Sequence, residues 1–386
     1  MNIGKILTKN SRIITTEDFS IKPMGIVDNY TKLSVLVALA AYKKTNYIFL
    51  DDKFNKIKLQ FLSNFMSYVV NHPNSPKKFQ FKIEQNIKTE LNNDKKNDIP
   101  YDVILSFSGG IDSTAGLLYC LDNKLKVLPL WVNFGQKNKE AEKKSINYIL
   151  GKLNIKNLLK SEINIEKQIL KGWKDWDFIV PARNFIFASI ANSIFKSSNN
   201  SKGMIFICAV KEEMRKWKHR DKSKYFFKTS SSLFSKDSRK NICLCSPFEK
   251  YSKTEVLYWW KNNWEKKYGI SPHDTSTCYY NLKNPCGKCR ACFRRTVSLL
   301  AAGYEIDNNL QVNPLTDPDN FIKNTWIPEI NADKISRTGR LDFYIAMEKS
   351  KHILPSYLLE YYNNLPWQTI KAISKRKKEI LSVKLK

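Results

Sequence analysis

The chain has 386 residues, with 65 Lys or Arg against 36 Asp or Glu and a formal charge of +29. Hydrophobic residues make up 42%, which is enough for a buried core and excludes wholesale disorder. So large a cationic surplus attracts anions (nucleotides, nucleic acid or an acidic surface), although abundant Lys beside Asn and Ile also fits plain solvated surface from an AT-rich coding bias.

A first zone runs from residue 1 to about 98. Residues 33–42 form the longest apolar run; at about half the ~20 residues that cross a bilayer, it predicts a helix and no membrane span. Alternation at 47–50 predicts a strand, and Leu59, Leu62, Phe65, Met66 and Val69 recur at helical spacing. The polar run 92–98, followed by Pro100, predicts a linker or exposed loop. The N-terminus lacks the basic head, apolar stretch and small-residue cleavage site of a secretory leader, so the expected compartment is the cytoplasm.

The second zone, 99–300, alternates strands and helices. Residues 103–107 form a short apolar run suited to a buried parallel strand, and a helix follows at 113–121. Strand 127–132, helix 139–150, helix 184–195 and strand 204–210 come next. This order predicts an α/β fold, a parallel sheet with helices on both faces. The third zone, 301–386, holds apolar or aromatic helices at 341–347 and 357–362. It closes on a basic segment, 371–386, with seven basic residues and one acidic.

The most informative stretch is VILSFSGGIDSTAGLL, residues 103–118. A strand ends, two glycines turn the chain, and a helix opens near Asp112. A helix N-terminus presents unpaired amides and about half a positive charge. Gly109 and Gly110 have no side chain to obstruct an anion, and Ser108 and Ser113 offer hydroxyls. Asp112 repels a bare phosphate, which implies Mg²⁺ between carboxylate and phosphate. The Lys-Ser/Thr ending of the Walker loop is missing.

Eight cysteines would suit four disulfides in a secreted chain, whereas clustered cysteines in a cytosolic enzyme are metal ligands or catalytic groups. Cys278, Cys286, Cys289 and Cys292 are spaced C-x7-C-x2-C-x2-C, with Pro285 and Gly287 helping the backbone turn. Four thiolates predict a closed structural Zn²⁺ site, with an iron–sulfur cluster as the rival. Cys120 and Cys208 lie in apolar contexts and read as core, while Cys243 and Cys245 alternate along a strand, where one could be a reactive thiol. The four histidines, His72, His219, His273 and His352, are scattered and read as ordinary surface or hydrogen-bonded residues.

The loop resembles Ser-Gly-Gly-x-Asp-Ser of the PP-loop ATP pyrophosphatases, and loop and cysteine quartet together resemble the 7-cyano-7-deazaguanine synthase family. Three further segments fit that family: WVNFGQK at 131–137, FIVPARN at 178–184 and SPFEKYSKTEV at 246–256. The resemblance covers 101–300, about half the chain. It implies that Phe107, Ser108, Gly109, Gly110, Ile111, Asp112, Ser113 and Thr114 hold the β,γ-pyrophosphate of ATP. Asp112, Ser113, Arg183 and Lys253 would then serve the reaction. Independently, Ser252-Lys253-Thr254-Glu255 reads as a capping box that starts a helix at Lys253. A guanidinium at Arg183, opening a helix after a Pro-Ala turn, suits a phosphate.

Three features depart from the family, one being Lys137-Asn138 in place of the Arg-His pair that follows its Gly-Gln. Its substrate segment, Asp-x-Ser-Gly-Tyr-x-Asp-Cys-Arg, is replaced by KEEMRKWKHRDKSKYFFK at 211–228, with eight basic and three acidic residues. The first hundred residues and most of the last eighty also lie outside the family pattern. The resemblance implies a carboxylate substrate (7-carboxy-7-deazaguanine or an analogue) activated as an acyl-adenylate and then attacked by an amine to give an amide, which in the synthase a second ATP-dependent step dehydrates to a nitrile. The alternatives are a synthase-like enzyme of an anti-phage system that attaches a deazaguanine to a protein, and a tRNA-modifying thiolase. A protein or tRNA acceptor would then replace the small amine donor; a homodimer is the expected assembly.

Overall fold

The computed structural model describes residues 99–133, 136–165, 182–214, 220–280 and 284–385, with shorter stretches before residue 99. No helix among the described residues is long and apolar enough to cross a membrane. The expected linker at 92–98 lies outside the described residues. Of the expected helix at 33–42, Leu33, Leu36 and Val37 are described; they are helical and buried.

In the N-terminal region β1 (Lys5–Leu7) pairs antiparallel with β2 (Ile13–Thr15), while β3 (Phe19–Lys22) leaves for a different sheet. The expected strand is β4 (Tyr47–Leu50), which joins β1 and also pairs in parallel with β5 (Lys82–Gln85). The leucine and phenylalanine spacing at 59–69 is realised as α1 (Lys56–Val70). Its Phe65 is buried edge-on against Phe185, with ring centroids 5.6 Å apart.

The main sheet begins with β6 (Val103–Ser106), whose Val103, Ile104 and Leu105 are all buried. Such a run suits a central strand covered on both faces. Val103 and Leu105 face α2 (Ile111–Asp122), whereas Ile104 faces the opposite layer. Next come β7 (Val127–Asn133), α3 (Lys139–Lys152), β8 (Leu159–Ile165), α4 (Arg183–Lys196) and β9 (Lys202–Phe206). After α5 (Lys224–Ser238), β10 (Asn241–Cys245) completes the order β10-β9-β6-β7-β8-β3. Every pairing is parallel except β8 with β3, so an N-terminal strand closes one edge. The chain steps outward from β6 through β7 to β8, then returns to the other side of β6. At such a reversal the loops leaving the carboxyl ends diverge and open a crevice, and the loop after β6 lies there.

α5 was not evident from a sequence rich in Ser and Lys. Its serines bind the edge strand: Ser231 Oγ accepts from Leu244 N (2.8 Å) and Ser235 Oγ from Ile242 N (3.0 Å). They occupy backbone groups that an edge otherwise exposes. The strand expected at 204–210 stops at Phe206, although Ile207, Cys208, Ala209 and Val210 are buried. Past that point Ala209 leaves the ladder, because its N and O both bond Ser246 Oγ, at 3.1 and 2.7 Å.

The C-terminal zone forms its own apolar cluster. Before it, α6 (Lys253–Trp259) runs into a wider π turn, Trp260–Trp264, whose two terminal tryptophans are buried in the cluster that also holds Val103 and Leu105. α7 (Arg290–Ala301), α8 (Arg337–Lys349), α9 (Ser356–Asn363) and α10 (Trp367–Leu381) pack around Phe293, Trp326, Phe343 and Ile373.

Ala182, the residue before α4, is buried with φ +57° and ψ +19°. The left-handed region costs an alanine about 1–2 kcal/mol. Ala182→Gly removes the Cβ clash but loosens the unfolded chain, which offsets part of the gain. A net stabilisation of up to about 1 kcal/mol is expected in urea unfolding; a loss of stability would show that the alanine side chain matters more than the strain.

Candidate active site

The turn after β6 depends on Gly109, whose φ is +68°. A Cβ there would sit 3.0 Å from Ser145 Oγ and 3.1 Å from Ile146 N, so a side chain is excluded by strain and by space. Two partners pin the turn from outside. Ser145 Oγ donates to Gly109 O at 2.8 Å, and Ser276 N donates to the same oxygen at 2.9 Å. Gly110 and Ser276 also form a parallel bridge. Inside the turn Ser113 Oγ donates to Gly110 O (3.1 Å) and accepts from Ser108 N (3.3 Å).

The eight loop residues therefore divide into two groups. Phe107, Gly109, Ile111, Ser113 and Thr114 are buried, with only the backbone of Phe107 and Ile111 available to a ligand, whereas Ser108, Gly110 and Asp112 are not. Thr114 Oγ1 has no hydrogen-bond partner among the described residues. Ser108 is exposed and Asp112 partly so, at the mouth of the first helical turn, where α2 has no side-chain cap. An N-terminus left uncapped in this way retains its donors for an anion.

Lys253 arrives from the other end of the domain. Ser252 and Glu255 form the expected capping box: Glu255 N donates to Ser252 Oγ (3.1 Å) and Ser252 N to Glu255 Oε2 (2.8 Å). Lys253 is the first helical residue, and its Nζ lies 2.9 Å from Asp112 Oδ2. The structure thus joins two predicted site residues that are 141 positions apart. Arg183 is exposed at the start of α4, where its charge bears on Glu142 and Asp221. Of the segment 178–184, positions 178–181 lie outside the described residues.

Further charges surround this mouth that the family pattern did not indicate. Lys222 Nζ pairs with Glu213 Oε2 at 3.0 Å, both largely buried. Burial opposes the charge on Lys222, but Glu213 and Asp112 outweigh it and hold the lysine above its ordinary value. Burial pushes the Asp221 carboxyl up against the pull of Lys222 and Arg183. Glu142 is also raised by burial, although Trp131 Nε1 (2.9 Å) and Gln136 Nε2 (2.8 Å) donate to it. Glu213, Asp221 and Lys222 all come from the segment 211–228, where the sequence leaves the family pattern.

The four cysteine sulfurs at 278, 286, 289 and 292 lie within 4.8 Å of one another, with Cys289 and Cys292 at 3.5 Å and Cys286 and Cys292 at 4.0 Å. A single tetrahedral ion with Zn–S bonds of about 2.3 Å holds its thiolates about 3.8 Å apart. The donor set therefore fits one thiophilic ion. Backbone N–H groups of Cys286 and Tyr280 point at Cys278 Sγ, and those of Lys288 and Cys289 at Cys286 Sγ. Such bonds stabilise thiolate charge. Gly287 makes the knuckle possible: its φ is +72°, and a Cβ would lie 1.8 Å from Val312 O.

This cysteine knot connects to the turn after β6 through one short segment. Buried Arg295 of α7 donates to Pro272 O, Thr275 Oγ1 and Thr277 Oγ1, each at 2.7 Å, and to Asp307. Asp307 also meets His273 Nδ1 at 2.6 Å, so this histidine is a structural partner. Ser276, which holds Gly109, lies between the two clamped threonines. Cys120 and Cys208 are buried core thiols as expected, and burial pushes Cys120 up to about 12. Cys243 is exposed on the edge strand β10.

A parallel sheet, a side-chain-free turn at its switch point and a four-cysteine knot define an α/β nucleotide-binding protein of the PP-loop type. The family model described as queuosine biosynthesis protein QueC matches residues 102–303, and the chain belongs to that family. It is 29% identical over 215 residues to a 7-cyano-7-deazaguanine synthase of Picrophilus torridus, covering 51% of this chain and 86% of that protein. A synthase of Nautilia profundicola is 26% identical over 219 residues, covering 52% and 95%. 7-cyano-7-deazaguanine synthase 1 of Desulfitobacterium hafniense is 39% identical over 106 residues, covering 23% of this chain and 47% of that protein. These relatives are named as synthases, which supports an enzyme, and the family implies ATP use.

Two outcomes test this geometry. Cys289→Ser should release the bound metal in elemental analysis and lower the melting temperature by at least ~5 °C; full metal content with unchanged melting would refute the ligand role. Asp307 is buried, which by itself raises its carboxyl, but His273 and Arg295 pull it down to about 2 from an ordinary 3.8. A depressed carboxyl contributes stability above its unfolded value and loses it as pH falls through the folded one. About 2 kcal/mol should therefore disappear between pH 4 and pH 2. Asp307→Asn should flatten that interval in denaturation measurements, and an unchanged acid limb would contradict the assignment.

Proposed function

We propose that this protein is an ATP-dependent carbon–nitrogen ligase that adenylates a deazaguanine-type carboxylate and passes the acyl group to an amine. The observation that carries this reading is the Asp112–Lys253 pair at the mouth of the turn pinned by Ser145 and Ser276. A carboxylate cannot expel oxide. Attack of its oxygen on the α-phosphorus releases pyrophosphate and forms an acyl-adenylate, from which AMP can leave. The amine then attacks the acyl carbon, AMP departs with the bridging oxygen, and the nitrogen loses a proton to leave an amide; where the amine is ammonia, a second ATP adenylates the amide oxygen, and loss of AMP with the two nitrogen protons gives the nitrile. No side-chain nucleophile is needed; positioning and charge neutralisation supply the acceleration.

In this reading the amides of the turn and the hydroxyls of Ser108 and Ser113 receive the β,γ-phosphates. Arg183 and Lys253 neutralise them, and Asp112 accepts Mg²⁺. The ion of the cysteine quartet is zinc with a structural role, since four sulfurs leave no open position. An iron–sulfur cluster would spread its thiolates around an inorganic core wider than one ion.

A specific observation favours a changed acceptor. The family's substrate segment is replaced by residues that bury Glu213 and Lys222 beside the site, and α1 covers the same sheet face from the N-terminal region. A protein amine in place of ammonia keeps the chemistry and accounts for the altered wall. 7-Carboxy-7-deazaguanine, ammonia and Mg·ATP are the first assay mixture, with AMP and nitrile as readouts. AMP without nitrile, rising only when a protein acceptor is added, would select the second reading. Asp112→Ala should lower AMP formation at least ~100-fold with an unchanged melting temperature; undiminished turnover would reject the site.

A further inference from the structure

The C-terminal helix α10 sends one arginine back into the body of the protein. Arg376 is 1% exposed, an unusual place for a guanidinium unless every donor is used. Its Nε meets Asp342 Oδ1 at 2.9 Å, its Nη2 donates to Ser252 Oγ at 2.7 Å, and its Nη1 pairs with Glu255 Oε1. Asp342, on α8, also accepts from Thr254 Oγ1 at 2.6 Å. Three of the four capping-box residues, Ser252, Thr254 and Glu255, are thus held by one buried Arg376–Asp342 pair. The fourth is Lys253, which points the other way to Asp112.

Both halves of the reciprocal cap share this anchor. Glu255 uses one carboxylate oxygen for Ser252 N and the other for Arg376, while Ser252 Oγ receives both Glu255 N and Arg376. The N-terminus of α6 cannot rotate or fray without breaking these charged contacts. Asp342 and Arg376 both lie beyond residue 303, where the match to the family ends. We propose that Arg376 is a positioning residue for the ATP site. The C-terminal extension, through Arg376 and Asp342, fixes the helix start from which Lys253 reaches the triphosphate. This rests on the reading of Lys253 as a phosphate contact.

The test is a double-mutant cycle on the full chain, read as the affinity for Mg·ATP by titration calorimetry, with melting temperature followed alongside. Lys253→Ala first tests the underlying reading, and an affinity equal to the parent's would sink both that reading and the proposal. With Lys253 shown to contribute, Arg376→Met should weaken ATP binding roughly tenfold and Arg376→Lys should restore part of it. In the Lys253→Ala background the same Arg376 substitution should change affinity less than about twofold, because its effect runs through the missing lysine. Equal losses in both backgrounds would overturn the proposal while leaving Lys253 in place, as would a folded Arg376→Met that binds ATP normally. Should Arg376→Met fail to fold, Arg376→Lys and Asp342→Asn carry the same cycle, with the same outcomes deciding it.

Discussion

One carbonyl organises this molecule. Gly109 O sits in a left-handed turn at the sheet's switch point and accepts from both Ser145 Oγ and Ser276 N. Without those donors the turn would lose the bonds that hold it. With them, the amides at the start of α2 are held in place between two structural layers, which is what the proposed phosphate site requires. Ser145 ties the turn to α3 on one side. Ser276 ties it to the segment clamped by Arg295, and through that segment to the four cysteines. Only Ser276 and Thr277 thus separate Cys278 from Gly109.

The elements that carry chemistry were legible because they are local. A strand, two glycines and a helix start at Asp112 need only adjacent residues to declare themselves, and so does the C-x2-C-x2-C spacing. The capping box at Ser252 was also visible, since it is written in four consecutive positions. What the sequence could not show is who holds these pieces. Ser145 looks like any polar residue of an amphipathic helix, and Arg376 looks like one more charge in a basic tail. It is in fact the most buried arginine side chain among the ion pairs of the described residues. β8 (LKSEINI) and α5 (KYFFKTSSSLFSKDS) carry polar residues that mask their periodicity, and in α5 the serines bind a neighbouring strand. The overlong strand at 204–210 shows the converse. Apolar content predicted burial correctly, but Ser246 had taken the ladder groups of Ala209.

The family core is embedded in additional chain on both sides. An N-terminal strand completes the sheet edge and an N-terminal helix covers one face, where Phe65 meets Phe185 and Phe226. The C-terminal helices hold the start of the lysine-bearing helix through Arg376 and Asp342. The N-terminal additions share one of the sheet's apolar clusters, whereas the C-terminal helices form their own and reach α6 through Arg376 and Asp342. The charged wall made by Glu213, Asp221 and Lys222 occupies the place where the family pattern puts its substrate segment. The part that keeps the family pattern is therefore the turn after β6 with Lys253, and the divergent part is the segment 211–228 beside it.

The most direct measurement is a crystal structure of the full chain soaked with Mg²⁺ and a non-hydrolysable ATP analogue. The account predicts β- and γ-phosphate density within hydrogen-bond distance of the amides between Gly109 and Ser113, with Lys253 drawn toward it from Asp112. A triphosphate bound elsewhere, with Asp112 and Lys253 still paired beside a turn containing only solvent, would contradict it.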